Sequence, residues 1–87
     1  MALNLLIVDP DDDWLMSAKE YFEGMNYKAT VINNGKDAQM SLYNGSFFAV
    51  ILNINVKKHA GIQVLKFIKT NHPSQKVIMI TEIDEEM

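Results

Sequence analysis

Three short polar residues each close an apolar run in this sequence: Asp9 after Leu3–Val8, Asn53 after Phe47–Leu52, and Thr81 after Val77–Ile80. A carboxylate, a carboxamide and a hydroxyl brought together offer hard oxygen donors and hydrogen-bonding groups. That chemistry suits a hard divalent cation or the oxygens of a phosphoryl group. Behind Asp9 follow Asp11, Asp12 and Asp13. Acids so placed are good helix-start residues, where capping and the helix dipole favour negative charge, and Asp11 is also a candidate oxygen ligand beside Asp9. His59 and His72 stand alone in the sequence, where a histidine is ordinarily solvated. Lys57 and Lys58 could draw an anion but read more simply as a solvated pair in a loop.

Elements must bring the three residues together. Short runs rich in Val, Ile and Leu, without polar alternation, suit strands buried on both faces. Tyr27–Ile32, with Lys28 and Thr30, reads as a fourth strand nearer an edge. Helical spacing fills the gaps. Trp14, Ala18, Phe22 and Met25 form one stripe between Asp11 and Met25; Ala38 and Leu42 lie one turn apart after an Asn33 or Asn34 cap and before Gly45; Ile62, Leu65 and Ile68 share a face between Gly61 and Thr70, ahead of Pro73. Tyr21, Phe22, Phe47, Phe48 and Phe67 read as core or half-buried packing, and Trp14 as partly core. The order β-α-β-α-β-α-β implies an α/β fold with a parallel sheet, helices on both faces, and ligands at the carboxyl ends of the strands.

Composition narrows the function. At 87 residues the chain is one small domain, here taken as 1–87, with 48% hydrophobic and 22% charged residues. It has no cysteine, so disulfides and thiolate metal sites are excluded. All eight basic residues are Lys, the net charge is −3, and the acids gather at Asp9–Glu23 and Glu82–Glu86. Without Arg, direct nucleic-acid binding is not expected. The apolar start Met1–Val8 is too short for a membrane span and lacks the basic flank of a signal peptide. A cytoplasmic protein is the expectation. No Gly-rich phosphate loop follows Val8, which disfavours nucleotide or flavin phosphates.

In register, "LLIVDPDDDW" (Leu5–Trp14), "VILNINVKKHAG" (Val50–Gly61) and "VIMITE" (Val77–Glu82) resemble the receiver domain of bacterial response regulators. The resemblance implies a three-layer, flavodoxin-like sheet of order 2-1-3-4. It also implies a regulatory, non-enzymatic module of two-component phosphorelay signalling, with a sensor kinase or an output protein as partner. In that family an aspartate ending the third strand accepts a phosphoryl group. Acids after the first strand hold Mg²⁺, a Ser or Thr ending the fourth contacts the phosphate, and a fifth-strand Lys completes the site.

Asn53 stands at the phosphoacceptor position, Thr81 at the switch position, and Asp9 and Asn53 at Mg²⁺ positions, with Asp11 as a substitute ligand for the missing second acid. Pro10 replaces the second paired acid, while Lys57 and Ala60 stand where the loop usually has Pro and Asp. A neutral amide is a poor nucleophile, so the expectation is a pseudo-receiver that signals by protein contacts. Two alternatives are a phosphorylatable receiver silenced by an Asp→Asn change at position 53, and an unrelated flavodoxin-like ligand-binding domain. The sequence ends at Met87, before a fifth strand and last helix, leaving Val77–Ile80 as an open apolar edge. That predicts either a fragment of a longer chain or a homo-oligomer.

Overall fold

A computed structural model describes residues 2–54 and 60–81. Its elements are β1 (Asn4–Val8), α1 (Asp12–Gly24), β2 (Lys28–Ile32), α2 (Gly35–Asn44), β3 (Ala49–Ile54), α3 (Ala60–Asn71) and β4 (Val77–Thr81). The strands form one parallel sheet in the order β2-β1-β3-β4, as the sequence implied.

Period-two alternation divides the strand residues between two cores. Leu6, Val8, Val50, Leu52 and Ile54 face α2 and α3, meeting Ala38, Leu42, Val64 and Ile68. Leu5, Ile7, Ala29, Ala49 and Ile51 face the other way, onto Leu15 with Trp14, Ala18 and Phe22 around it. Because β1 and β3 are central and covered on both faces, their sequences are continuously apolar. Trp14 is half-buried, as expected.

Several boundaries and packing assignments differ from the sequence reading. β3 starts at Ala49 and runs through Asn53 to Ile54, two residues past Leu52, because its ladder with β4 extends to Ile54↔Thr81. Thr81 is likewise the last residue of β4 and does not follow it. β2 begins at Lys28, since the Tyr27 N–H donates to the Phe22 carbonyl and belongs to the turn that holds Asn26 at φ 71°. Met25 leaves the helical stripe and is exposed: α1 ends at Gly24, and beyond that point a spacing of three no longer means a shared face. The buried residue of that helix is Leu15. Tyr21 and Phe48 are exposed, Tyr21 against the edge of the Phe22 ring and Phe48 beneath the Lys76 ammonium at 4.9 Å.

The amino ends of the strands are pinned by backbone and amide hydrogen bonds. Phe48 N–H donates to the Asn4 carbonyl, Lys28 N–H to Leu3, and the Gln75 side-chain amide to the Phe47 and Lys76 carbonyls. At the opposite end, Gly61 lets α3 approach β3 closely. A Cβ there would stand 2.6 Å from the Asn53 carbonyl oxygen and 3.3 Å from the Ile54 Cα. Helix propensity alone favours Ala over Gly by about 1 kcal/mol, but the obstructing atoms are backbone and cannot rotate away. Gly61→Ala should therefore destabilise the fold by about 1–3 kcal/mol, the usual range for overpacking. Urea denaturation followed by circular dichroism measures it.

Candidate functional site

The site follows from the ladder. β1 and β3 are neighbours with Val8 opposite Leu52, so the residues that follow, Asp9 and Asn53, must emerge side by side at the carboxyl edge of the sheet. Asp9 is only 3% exposed and is the one buried charged residue among those described. Its backbone N–H donates to the Ile32 carbonyl, which fixes it against β2 as well. Both carboxylate oxygens are occupied. Oδ1 accepts the Asp11 N–H at 2.7 Å, and Oδ2 accepts the side-chain amide Nδ2 of Asn53. A carboxylate can only accept here, so the Asn53 amide must turn its NH₂ towards it.

Asp11 has a different task. It is the N-cap of α1, and its Oδ1 accepts the N–H groups of Asp13 and Trp14 at 3.0 and 3.1 Å. Those are donors that the first turn of a helix leaves without partners. Asp12 accepts from the Asn33 amide at 3.0 Å. Asn33 in turn accepts from Asn34, which caps α2 and bonds Asp37 through both its amide and its oxygen. This polar chain ties the start of α1 to the start of α2. The sequence reading had Asn33 or Asn34 as a cap. It missed the reach of Asn33 to Asp12, because 21 residues separate them and only the β1–β2 pairing brings them together.

Thr81 stands one register step beyond the pair. Its ladder partner is Ile54, while Asn53 is opposite Ile80, and Thr81 is exposed. The structure thus brings Asp9, Asn53 and the Asp11 backbone together, and leaves the Thr81 hydroxyl at the rim. Lys57, Lys58, His59 and the acids Glu82–Glu86 lie outside the described residues. His72 is not solvated as expected. It lies at the opposite end of the sheet, half-buried beside the rings of Tyr43 and Phe67 at 6.3 and 5.7 Å.

Mg²⁺ requires near-octahedral oxygen coordination. Asp9 is committed to two hydrogen-bond donors, Asp11 caps a helix, Pro10 carries no side-chain oxygen, and Asn53 presents nitrogen to Asp9. Among the described residues no three His, Cys, Asp or Glu side chains converge. The donor set as arranged does not fit a built Mg²⁺ centre. What it does form is a neutral-donor clamp on one buried carboxylate.

The sequence matches the family model of the response regulator receiver domain across residues 5–87. The transcriptional regulatory protein ZraR of Klebsiella oxytoca is 30% identical over 79 residues, covering 91% of this chain and 18% of that protein. The CheY-like response regulator receiver domain protein of Methanospirillum hungatei superposes with a TM-score of 0.86 at 23% identity, over 99% of this chain and 69% of that one. NtrX from Brucella abortus, solved in complex with ADP, gives 0.83 at 23% identity, over 93% of this chain and 19% of that one. At such identities the two structures share the fold. The chain spans less than a fifth of ZraR and of NtrX.

Substitutions at two positions test the clamp. Asp11→Ala should cost about 1 kcal/mol through loss of the cap, and Asp11→Asn should recover most of it. Asn53→Ala should cost about 1–3 kcal/mol by leaving a buried carboxylate oxygen without its donor. Asn53→Asp, which sets carboxylate against carboxylate, should also lower the melting temperature. Mg²⁺ should raise it again in that variant while leaving the unsubstituted chain unmoved. Differential scanning fluorimetry with and without the cation reads all of these.

Proposed function

The chain belongs to the response regulator receiver domain family, and from that premise we propose that it is a pseudo-receiver, a regulatory module of two-component signalling that acts without accepting a phosphoryl group. Receiver domains are regulatory units that meet kinases and output domains, and they typically bind Mg²⁺ where they are phosphorylated. Family membership leaves no place for an unrelated flavodoxin-like ligand-binding domain.

The observation that carries the reading is the hydrogen bond from Asn53 Nδ2 to Asp9 Oδ2. A carboxylate at position 53 would repel buried Asp9, and a cation between them would relieve that repulsion. The amide removes the repulsion with no cation, because it brings donor protons in place of a second negative charge. It also removes the nucleophile, since the amide nitrogen lone pair is delocalised into the carbonyl. One substitution therefore supports both halves of the reading, a site without a phosphoacceptor and a site without a need for metal.

On this reading residues 1–87 form a single receiver-like unit, cytoplasmic and regulatory rather than catalytic. Its partners are proteins: a sensor kinase, a downstream output protein or a further copy of the chain. The absence of Arg argues against direct contact with nucleic acid. A second reading has one observation in its favour. Asn is isosteric with Asp, and Asp9, Asn53 and Thr81 all stand at the carboxyl ends of their strands, so a working receiver silenced by an Asp→Asn change at 53 would retain this layout.

Intact-mass spectrometry after incubation with acetyl phosphate and Mg²⁺ separates the two. The unsubstituted chain should keep its mass, and phosphoryl uptake by it would overturn the proposal. The pseudo-receiver reading expects no uptake by Asn53→Asp either; uptake by that variant alone would favour the silenced receiver.

A further inference from the structure

Two asparagines in the chain are followed by glycine, Asn34–Gly35 at the start of α2 and Asn44–Gly45 at its end. A glycine has no Cβ to obstruct its own nitrogen from approaching the preceding carboxamide, and it adopts the dihedrals that approach needs. The two pairs have the same sequence and differ in what holds them. Asn34 caps the helix. Its Oδ1 accepts the Asp37 N–H at 2.9 Å, and its Nδ2 donates to Asn33 Oδ1 at 2.9 Å and to Asp37 Oδ2 at 3.0 Å. The Asn44 carboxamide has no hydrogen-bond partner among the described residues, and both Asn44 and Gly45 are exposed. Gly45 is extended, at φ −146° and ψ 170°, and its N–H makes no backbone hydrogen bond among the described residues. At Asn44, nucleophile and electrophile are therefore adjacent, free of hydrogen bonds and open to water. At Asn34, three hydrogen bonds must break before the carboxamide can turn.

We propose that Asn44–Gly45 is a site of spontaneous deamidation, where the folded chain is converted from amide to acid ahead of Asn34. The deprotonated Gly45 nitrogen attacks Asn44 Cγ and forms a C–N bond. The bond from Cγ to Nδ2 breaks, the departing nitrogen takes up a proton, and ammonia leaves behind a cyclic imide. Water then opens the ring. Addition at Cγ gives aspartate; addition at the main-chain carbonyl gives isoaspartate, in which the backbone runs through Cγ. The net change is one water consumed and one ammonia released, with no oxidation or reduction. Either product sets a carboxylate at the carbonyl end of α2, where the helix dipole disfavours negative charge and no basic residue in the last turn offsets it. The preceding residue, Tyr43, holds its ring 6.1 Å from that of Phe67 and 6.3 Å from that of His72, so the change falls where the end of α2 meets α3. The inference is independent of whether position 53 takes part in phosphoryl transfer.

The test follows the unsubstituted chain, folded and held at mildly alkaline pH over days, by digestion and mass spectrometry, with fragment masses locating each converted residue. Asn44 should gain the mass of an acid over an amide, in separable aspartyl and isoaspartyl forms, at least about tenfold faster than Asn34, whose hydrogen bonds must first be broken. In urea, where neither the cap nor the helix survives, the two rates should converge. Gly45→Ala is a variant expected to fold, since its backbone is extended and an added Cβ would meet the Ser41 carbonyl oxygen at 3.4 Å and the Phe47 ring at 3.7 Å. It should slow conversion of Asn44 by at least about tenfold, because the new methyl group hinders approach of the nitrogen. Equal rates at the two asparagines in the folded chain, or faster conversion of Asn34, would overturn the proposal. A preference for Asn44 that persists unchanged in urea, or a rate untouched by Gly45→Ala, would overturn it too.

Discussion

The Asp9–Asn53 contact is the constraint around which the carboxyl end of this sheet is arranged. It arises because β1 and β3 are adjacent parallel strands whose last buried pair is Val8 and Leu52, so the next residues have no choice but to meet. A carboxylate buried to the extent of Asp9 persists only if its oxygens are bonded. The protein meets that demand with one backbone N–H and one side-chain amide. The surrounding features serve those two donors. Capping by Asp11 holds the start of α1 and hence the Asp11 N–H, and Gly61 lets α3 close against the backbone of Asn53.

The acids that crowd this end of the molecule are therefore not equivalent. Asp9 is buried and clamped, Asp11 satisfies a helix terminus, and Asp12 and Asp37 anchor the Asn33–Asn34 chain between α1 and α2. Counted by charge alone they suggest a cation site. Followed bond by bond, the work of Asp11, Asp12 and Asp37 is structural, and the local positive ends of two helices already offset their charge.

Much of this was legible in the sequence, for identifiable reasons. Continuous apolar runs betray strands covered on both faces, so the sheet and its 2-1-3-4 order could be read from Leu3–Val8, Phe47–Leu52 and Val77–Ile80 with the resemblance as guide. Short-range caps were equally visible, because Asp11 and Asn34 act on donors within three residues. Packing was less so. The stripe through Trp14, Ala18 and Phe22 lies on α1 and packs around the core, but Met25 falls past the helix end and neighbouring Leu15 is the buried member. On α3, Val64 and Ile68 go deepest, while Ile62 and Leu65 flank them. Exposure of Tyr21 and Phe48, and the ring contacts of His72, depend on which helix ends lie beside which turns, and no local pattern encodes that. At the site, Asn53 and Thr81 were found as residue types but placed just beyond their strands. The β3–β4 ladder carries both inside, pairing Asn53 with Ile80 and Ile54 with Thr81.

A receiver whose buried carboxylate is already hydrogen-bonded by neutral donors is switched differently from one that accepts a phosphoryl group. Phosphorylation would add charge and new acceptors at the strand ends and so shift a conformational equilibrium from within. On the proposed reading, with Asn53 donating to Asp9, that internal source of free energy is closed, and the ground state is the satisfied one. Any change of state must then be driven from outside, by a partner that binds one conformation better than the other. It can move the equilibrium only by that difference in affinity. In a pseudo-receiver, control thus passes from the chemistry of a pocket to the concentration of a partner, and surface complementarity becomes the quantity on which function depends.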